Sequence, residues 1–118
     1  MHPESQRTAF VTFIRQIPKE PDSVFVVLLR FSANKAQAPQ FMDGHKAWIQ
    51  RGMEDGVFLV VGSLQPNAGG AILAHGISRS ELEARVNEDP FVEENVVSVE
   101  ILEMTPARTD ERLNFIMS

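Results

Sequence analysis

Apolar positions along the chain follow two different periods. Phe10, Phe13, Ile14 and Ile17 are spaced by three and four, which predicts a short amphipathic helix within Ser5 to Ile17, ended by Pro18 and Pro21. Val24 to Phe31 is instead a run of Val, Leu and Phe broken only by Arg30, the pattern of a strand covered on both faces. Pro39 suits the first turn of a helix running to about Asp55, and Gly56 suits its stop. Val57 to Gly62 and Ala71 to Ile77 predict two further strands, joined into a hairpin by turn chemistry within Ser63 to Gly70. Ser80 and Glu83 have the spacing of a capping box, opening a short helix with Leu82 and Val86 inward that ends before Pro90. A fourth strand is expected at about Val96 to Met104. Thr109 to Ile116 suggests a last helical turn with Leu113 and Ile116 on one side.

The resulting order, β-α-β-β-α-β, is that of an α+β, ferredoxin-like sheet with two helices on one face and an extra N-terminal helix. Residues 1–22 form the expected N-terminal extension, 23–106 the domain and 107–118 a C-terminal tail. Two helices cover one face of such a sheet, yet the first two strands are apolar on both. A second copy of the same sheet is the economical cover for the other face, so a homodimer is expected.

Length and charge narrow the function classes. A chain of 118 residues supports one hydrophobic core. Sixteen acidic against eleven basic side chains, with no Lys/Arg cluster, argue against a nucleic-acid partner. The absence of cysteine removes thiolate nucleophiles and Cys-built zinc sites. The longest apolar runs fall well short of the roughly 20 residues of a membrane span, and no signal-peptide pattern is visible. The expectation is a cytoplasmic protein with no membrane partner, no cofactor and no metal.

Against that background two residues stand out. On the helix from Pro39, Phe41, Met42, Trp48, Ile49 and Met53 form one apolar face with His45 near its centre, while Asp43, Gln50 and Glu54 lie opposite. Histidine suits proton transfer near neutral pH, although a core histidine satisfied by a nearby carbonyl has the same pattern. Asp89 stands at the end of a helix, where capping does not explain a negative charge, unless Asp-Pro simply turns the chain toward Phe91. Arg30, His75 and Ser63 are further candidates for contact with a ligand, Arg30 through an anion and His75 through a shared pocket. Each also has a plain reading, as an interface ion pair, a sheet-edge residue and a turn residue. No serine elbow, His-x-x-x-His pair or carboxylate-rich loop is present.

His45, Gly56 and Gly62, at offsets of eleven and seventeen, followed by Asp89-Pro90-Phe91-Val92, resemble the YCII-related family over roughly Val24 to Pro106. The resemblance implies a dimeric α+β barrel with a catalytic pair in a cleft, a histidine on the first helix and the aspartate of the Asp-Pro motif. By motif match these are His45 and Asp89. The arginine common in that family three residues before the histidine is Met42 here. The implied function is an enzyme-like protein that binds a small organic molecule, cyclic or aromatic ligands being the candidates, for acid/base chemistry of a lyase, isomerase or dehalogenase type. The alternative is a non-catalytic ligand-binding or accessory dimer in which the pair only holds the fold. The catalytic reading expects His45 and Asp89 within hydrogen-bond reach at the floor of a cleft between helix and sheet.

Overall fold

The computed structural model describes residues 23–117, so the helix expected at Ser5 to Ile17 and the rest of the N-terminal extension lie outside the described residues. The expected strand over Val24–Phe31 forms as β1. Its alternate side chains Phe25, Val27 and Leu29 are fully buried, whereas Val26 and Leu28 are half-buried and Arg30 is exposed. That alternation is the period of two of a strand, and it separates a core face from an open one.

Three further strands, β2 (Phe58–Leu64), β3 (Gly69–Ala74) and β4 (Val97–Met104), complete a sheet of order β2-β3-β1-β4 with every neighbouring pair antiparallel. Two helices, α1 (Ala38–Glu54) and α2 (Arg79–Val86), supply Trp48, Leu82 and Val86 to the core that holds Phe25, Val27 and Leu29. The chain is therefore an α+β fold with a four-stranded antiparallel sheet, compatible with a ferredoxin-like arrangement. Among the described residues no helix is long and apolar enough to cross a membrane.

Close packing of α1 on the sheet depends on a missing side chain. A Cβ on Gly52 would overlap the Phe58 ring, which lies against the helix and meets Trp48 edge-on at 5.0 Å. The helix then closes with Gly56 in the left-handed region at φ 73°. Gly56 N–H donates to the Met53 carbonyl and Val57 N–H to the Gly52 carbonyl, so the last turn is satisfied as the chain enters β2.

Several sequence expectations need correction. The turn is shorter than Ser63 to Gly70, because Ser63 and Leu64 pair in register with Gly70 and Gly69 and extend the hairpin. His75 consequently follows β3 rather than lying within it, although its N–H still donates to the Val57 carbonyl. The capping box is Ser78 with Glu81, not Ser80 with Glu83. Both pairs have the same spacing, but Ser78 has the extended backbone an N-cap requires (ψ 160°), which leaves Ser80 inside the helix. Met53 is exposed rather than part of the buried face of α1. Leu113 is exposed while Ile116 is buried, since the 3-10 turn over Glu111–Ile116 is kinked at Leu113 and the two residues lose their common side.

The corrected cap carries a prediction. The Ser78 hydroxyl and backbone N–H both donate to Glu81 and hold its carboxyl below the ordinary value of 4.5. Because the folded value lies below the unfolded one, this contribution is complete above about 4.5 and is lost as the pH falls through the lowered value. Ser78→Ala should lower the unfolding free energy by about 1 kcal/mol at neutral pH, with the loss shrinking under acid, as read by urea denaturation at a series of pH values.

Candidate functional site

The site begins with a helix that the sequence pattern does not reveal. Asp89 is the N-cap of a short third helix, α3 (Pro90–Glu93), with extended backbone (φ −67°, ψ 124°) and Pro90 in the first turn. Its Oδ1 accepts the Phe91 N–H at 3.0 Å. This corrects the reading of Asp89 as unexplained by capping: the residue closes no helix but opens one, where the macrodipole favours its charge.

α3 sits close against α1 because Gly44 has no side chain. A Cβ there would lie 3.0 Å from Pro90 Cγ, tight enough that something would have to give. The residues beside this contact are His45 and Asp89, and His45 Nδ1 lies 2.8 Å from Asp89 Oδ1. An ionised carboxylate only accepts, so Nδ1–H donates and the ring is held in one tautomer. Phe91 adds a second restraint by stacking on the imidazole at 4.0 Å and 4° between planes. Trp48 flanks the ring at 6.0 Å and is itself anchored, its Nε1–H donating to the Arg85 carbonyl at 2.8 Å.

Burial makes this arrangement consequential. Asp89 is 0% exposed, and Oδ2 has no hydrogen-bond partner among the described residues. Compensation for burying the carboxylate therefore falls on Oδ1 and its two donors. His45 differs: its side chain keeps 14% exposure, and Nε2 makes no hydrogen bond to any described residue. One nitrogen is committed to the protein and the other is left available.

That nitrogen belongs to a ring lining a cleft of about 380 Å³ between α1 and the sheet. Leu29, Ile72 and Val97 form the sheet side, Met42 and Ile49 come from α1, and Phe91 continues the wall from α3. The volume falls within the roughly 300–1,000 Å³ usual for small-molecule sites. Ser63 also lines it, on the cleft face by its pairing with Gly70 and through the sheet with Leu29. Arg30 and His75 are elsewhere. Arg30 points from the open face and pairs with Glu100 at 2.7 Å, and His75 meets the Phe115 ring edge-on at 5.3 Å. Among the described residues no three His, Asp or Glu side chains converge as metal ligands would.

Three contributors escaped the sequence reading. Gly44 had a usable signal, because a glycine inside a helix is unfavourable by about 1 kcal/mol and marks close approach. Phe91 stands in the Asp-Pro motif, where the sequence offers it only as the residue that follows a turn. Lys46, which lines the cleft, carries no signal in the sequence pattern.

Comparison of the chain with protein-family models, with curated proteins and with solved structures finds no match.

Removing the Asp89 carboxylate leaves two donors unpaired, one of them a buried backbone N–H. Asp89→Ala should cost about 2–4 kcal/mol in urea denaturation, and Asp89→Asn, which keeps an acceptor at Oδ1, clearly less. Equal losses in the two variants would show that shape, not acceptance, matters at this position.

Proposed function

We propose that the protein binds a small cyclic or aromatic organic molecule in the cleft beside His45 and moves a proton to and from it through Nε2. The YCII-related resemblance points the same way, because its motif selects His45 and Asp89. The observation that carries the reading is the division of labour within one ring that lines an apolar cavity: Nδ1 is tied at 2.8 Å to a buried carboxylate, while Nε2 has no hydrogen-bond partner among the described residues. In this mechanism Nε2 accepts a proton from a C–H or O–H of the bound molecule, Asp89 fixes the ring's orientation, and Phe91 keeps its plane. The apolar walls hold the ligand and exclude competing water.

One observation favours a purely structural role for the same pair, since Asp89 Oδ1 also caps α3 and would be needed there without any ligand. Deuterium uptake separates the two readings. Cyclohexanone in D₂O should exchange its α-hydrogens faster with the protein than with folded His45→Ala, by about 10²-fold or more if His45 is the acid/base. Equal rates in the two proteins would leave a binding or structural role only.

The reading includes a second copy of the chain against the open face of the sheet. Val60, Leu102 and Met104 there are 58%, 47% and 52% exposed, and register places all three on the side of Val26 and Leu28. Arg30 and Glu100 share that face, so each copy would bring one charge of each sign, which suits a two-fold contact of a patch with itself. Light scattering at micromolar concentration should give twice 13.2 kDa. A monomer would overturn this part of the reading.

A further inference from the structure

Within the small-molecule reading proposed above, on which this inference rests, the cleft has an electrostatic bias of its own. Lys46 lies in a row with Met42 and Ile49, four residues after one and three before the other, and all three line the cleft. It is thus a basic residue in a largely apolar lining, immediately after His45 in the helix. Lys46, like Lys35, Arg51 and Arg108, has no ion pair among the described residues, even with Asp43 one turn away, and of these four it is the one that lines the cleft. Among the described residues no acidic side chain lines this cavity. Asp89 stands behind His45, fully buried, with its Oδ1 taken by two donors.

We infer that the cleft takes its ligand as an anion, a cyclic or aromatic molecule with a carboxylate, phenolate or enolate oxygen, and that Lys46 is the residue that selects it. A basic residue beside a partly apolar cavity favours an anionic oxygen over a neutral one, and because Lys46 is exposed to solvent the preference is a modest one. The ring portion meets Leu29, Ile72 and Phe91, and Ser63 offers a hydroxyl from the opposite side. The same placement suits the acid/base reading. When Nε2 takes a proton from a carbon next to a carbonyl, the bonding pair moves onto the carbonyl oxygen, and Lys46 is the charge that meets it.

Three probes of one shape test this: benzoate, benzamide and benzylamine, titrated into the full chain and followed through NMR shifts of the His45 ring and the Ser63 and Gly70 amides. Benzoate should bind about tenfold more tightly than benzamide. Lys46→Ala should remove that advantage while leaving benzamide unchanged, and Lys46→Arg should retain it. Lys46 is exposed, so these variants should keep their fold. Equal binding of benzoate and benzamide, a preference for benzylamine, or benzoate binding indifferent to Lys46→Ala would overturn the anion inference and leave the small-molecule reading standing. No shift at the cleft residues with any probe would overturn both.

Discussion

The His45–Asp89 contact is the interaction on which the rest of the site depends. A carboxylate with no exposure is tolerated only if its donors are in place, and here they come from different directions: a backbone N–H on α3 and an imidazole on α1. The contact therefore ties α1 to the N-cap of α3 through two residues 44 positions apart in the chain. Gly44 and Pro90 make the approach sterically feasible, and Phe91 keeps the imidazole flat against its new helix. The orientation that the proposed acid/base role requires and the joint that holds the two helices together are the same geometry.

The fold was legible wherever a single period dominated. β1 stands out because its apolar run is bounded and broken only at Arg30, and α1 because Pro39 and Gly56 mark its ends. Failures arose where two local patterns competed. Ser78/Glu81 and Ser80/Glu83 share one spacing, and backbone geometry, invisible in the sequence, decides between them. Gly69 and Gly70 have turn composition but are held in β3 by pairing with β1 and β2 on both sides, a tertiary effect that overrides local preference.

Site residues divide in the same way. His45 and Asp89 were noticeable because each contradicts its surroundings, a polar ring on an apolar face and an acid where no cap was expected. Lys46 contradicts nothing locally: a lysine on an exposed helix position is ordinary, and its meaning comes only from the cavity beside it. Arg30 shows the converse. It breaks an apolar strand and so attracts attention, yet the pleat sends it to the face opposite the cleft, where Glu100 accounts for it.

The pleat of β1 also sets how the two faces of the sheet communicate. Leu29 enters the cleft and Val26 the open face, so through most of the sheet the cavity and the apolar surface are separated by a full strand layer. At the edge the separation fails. Gly62, Ser63, Ala71 and Ile72 border the cleft on one side and a shallow groove with Val26, Val60 and Leu73 on the other. Gly62 has nothing within reach of an added Cβ, so the wall there is thin as well as shared. Among the described residues β2 is an edge strand paired with β3 alone, and edge strands shift more easily than central ones because one row of backbone groups lacks a neighbouring strand. A second copy packed on Val60 and Leu73 would bear directly on the strand pair that carries Ser63 into the cleft. Assembly and ligand binding would then act on the same few residues, and the shape of the cavity would depend on the association state through β2 and β3 rather than through the rigid joint at Asp89.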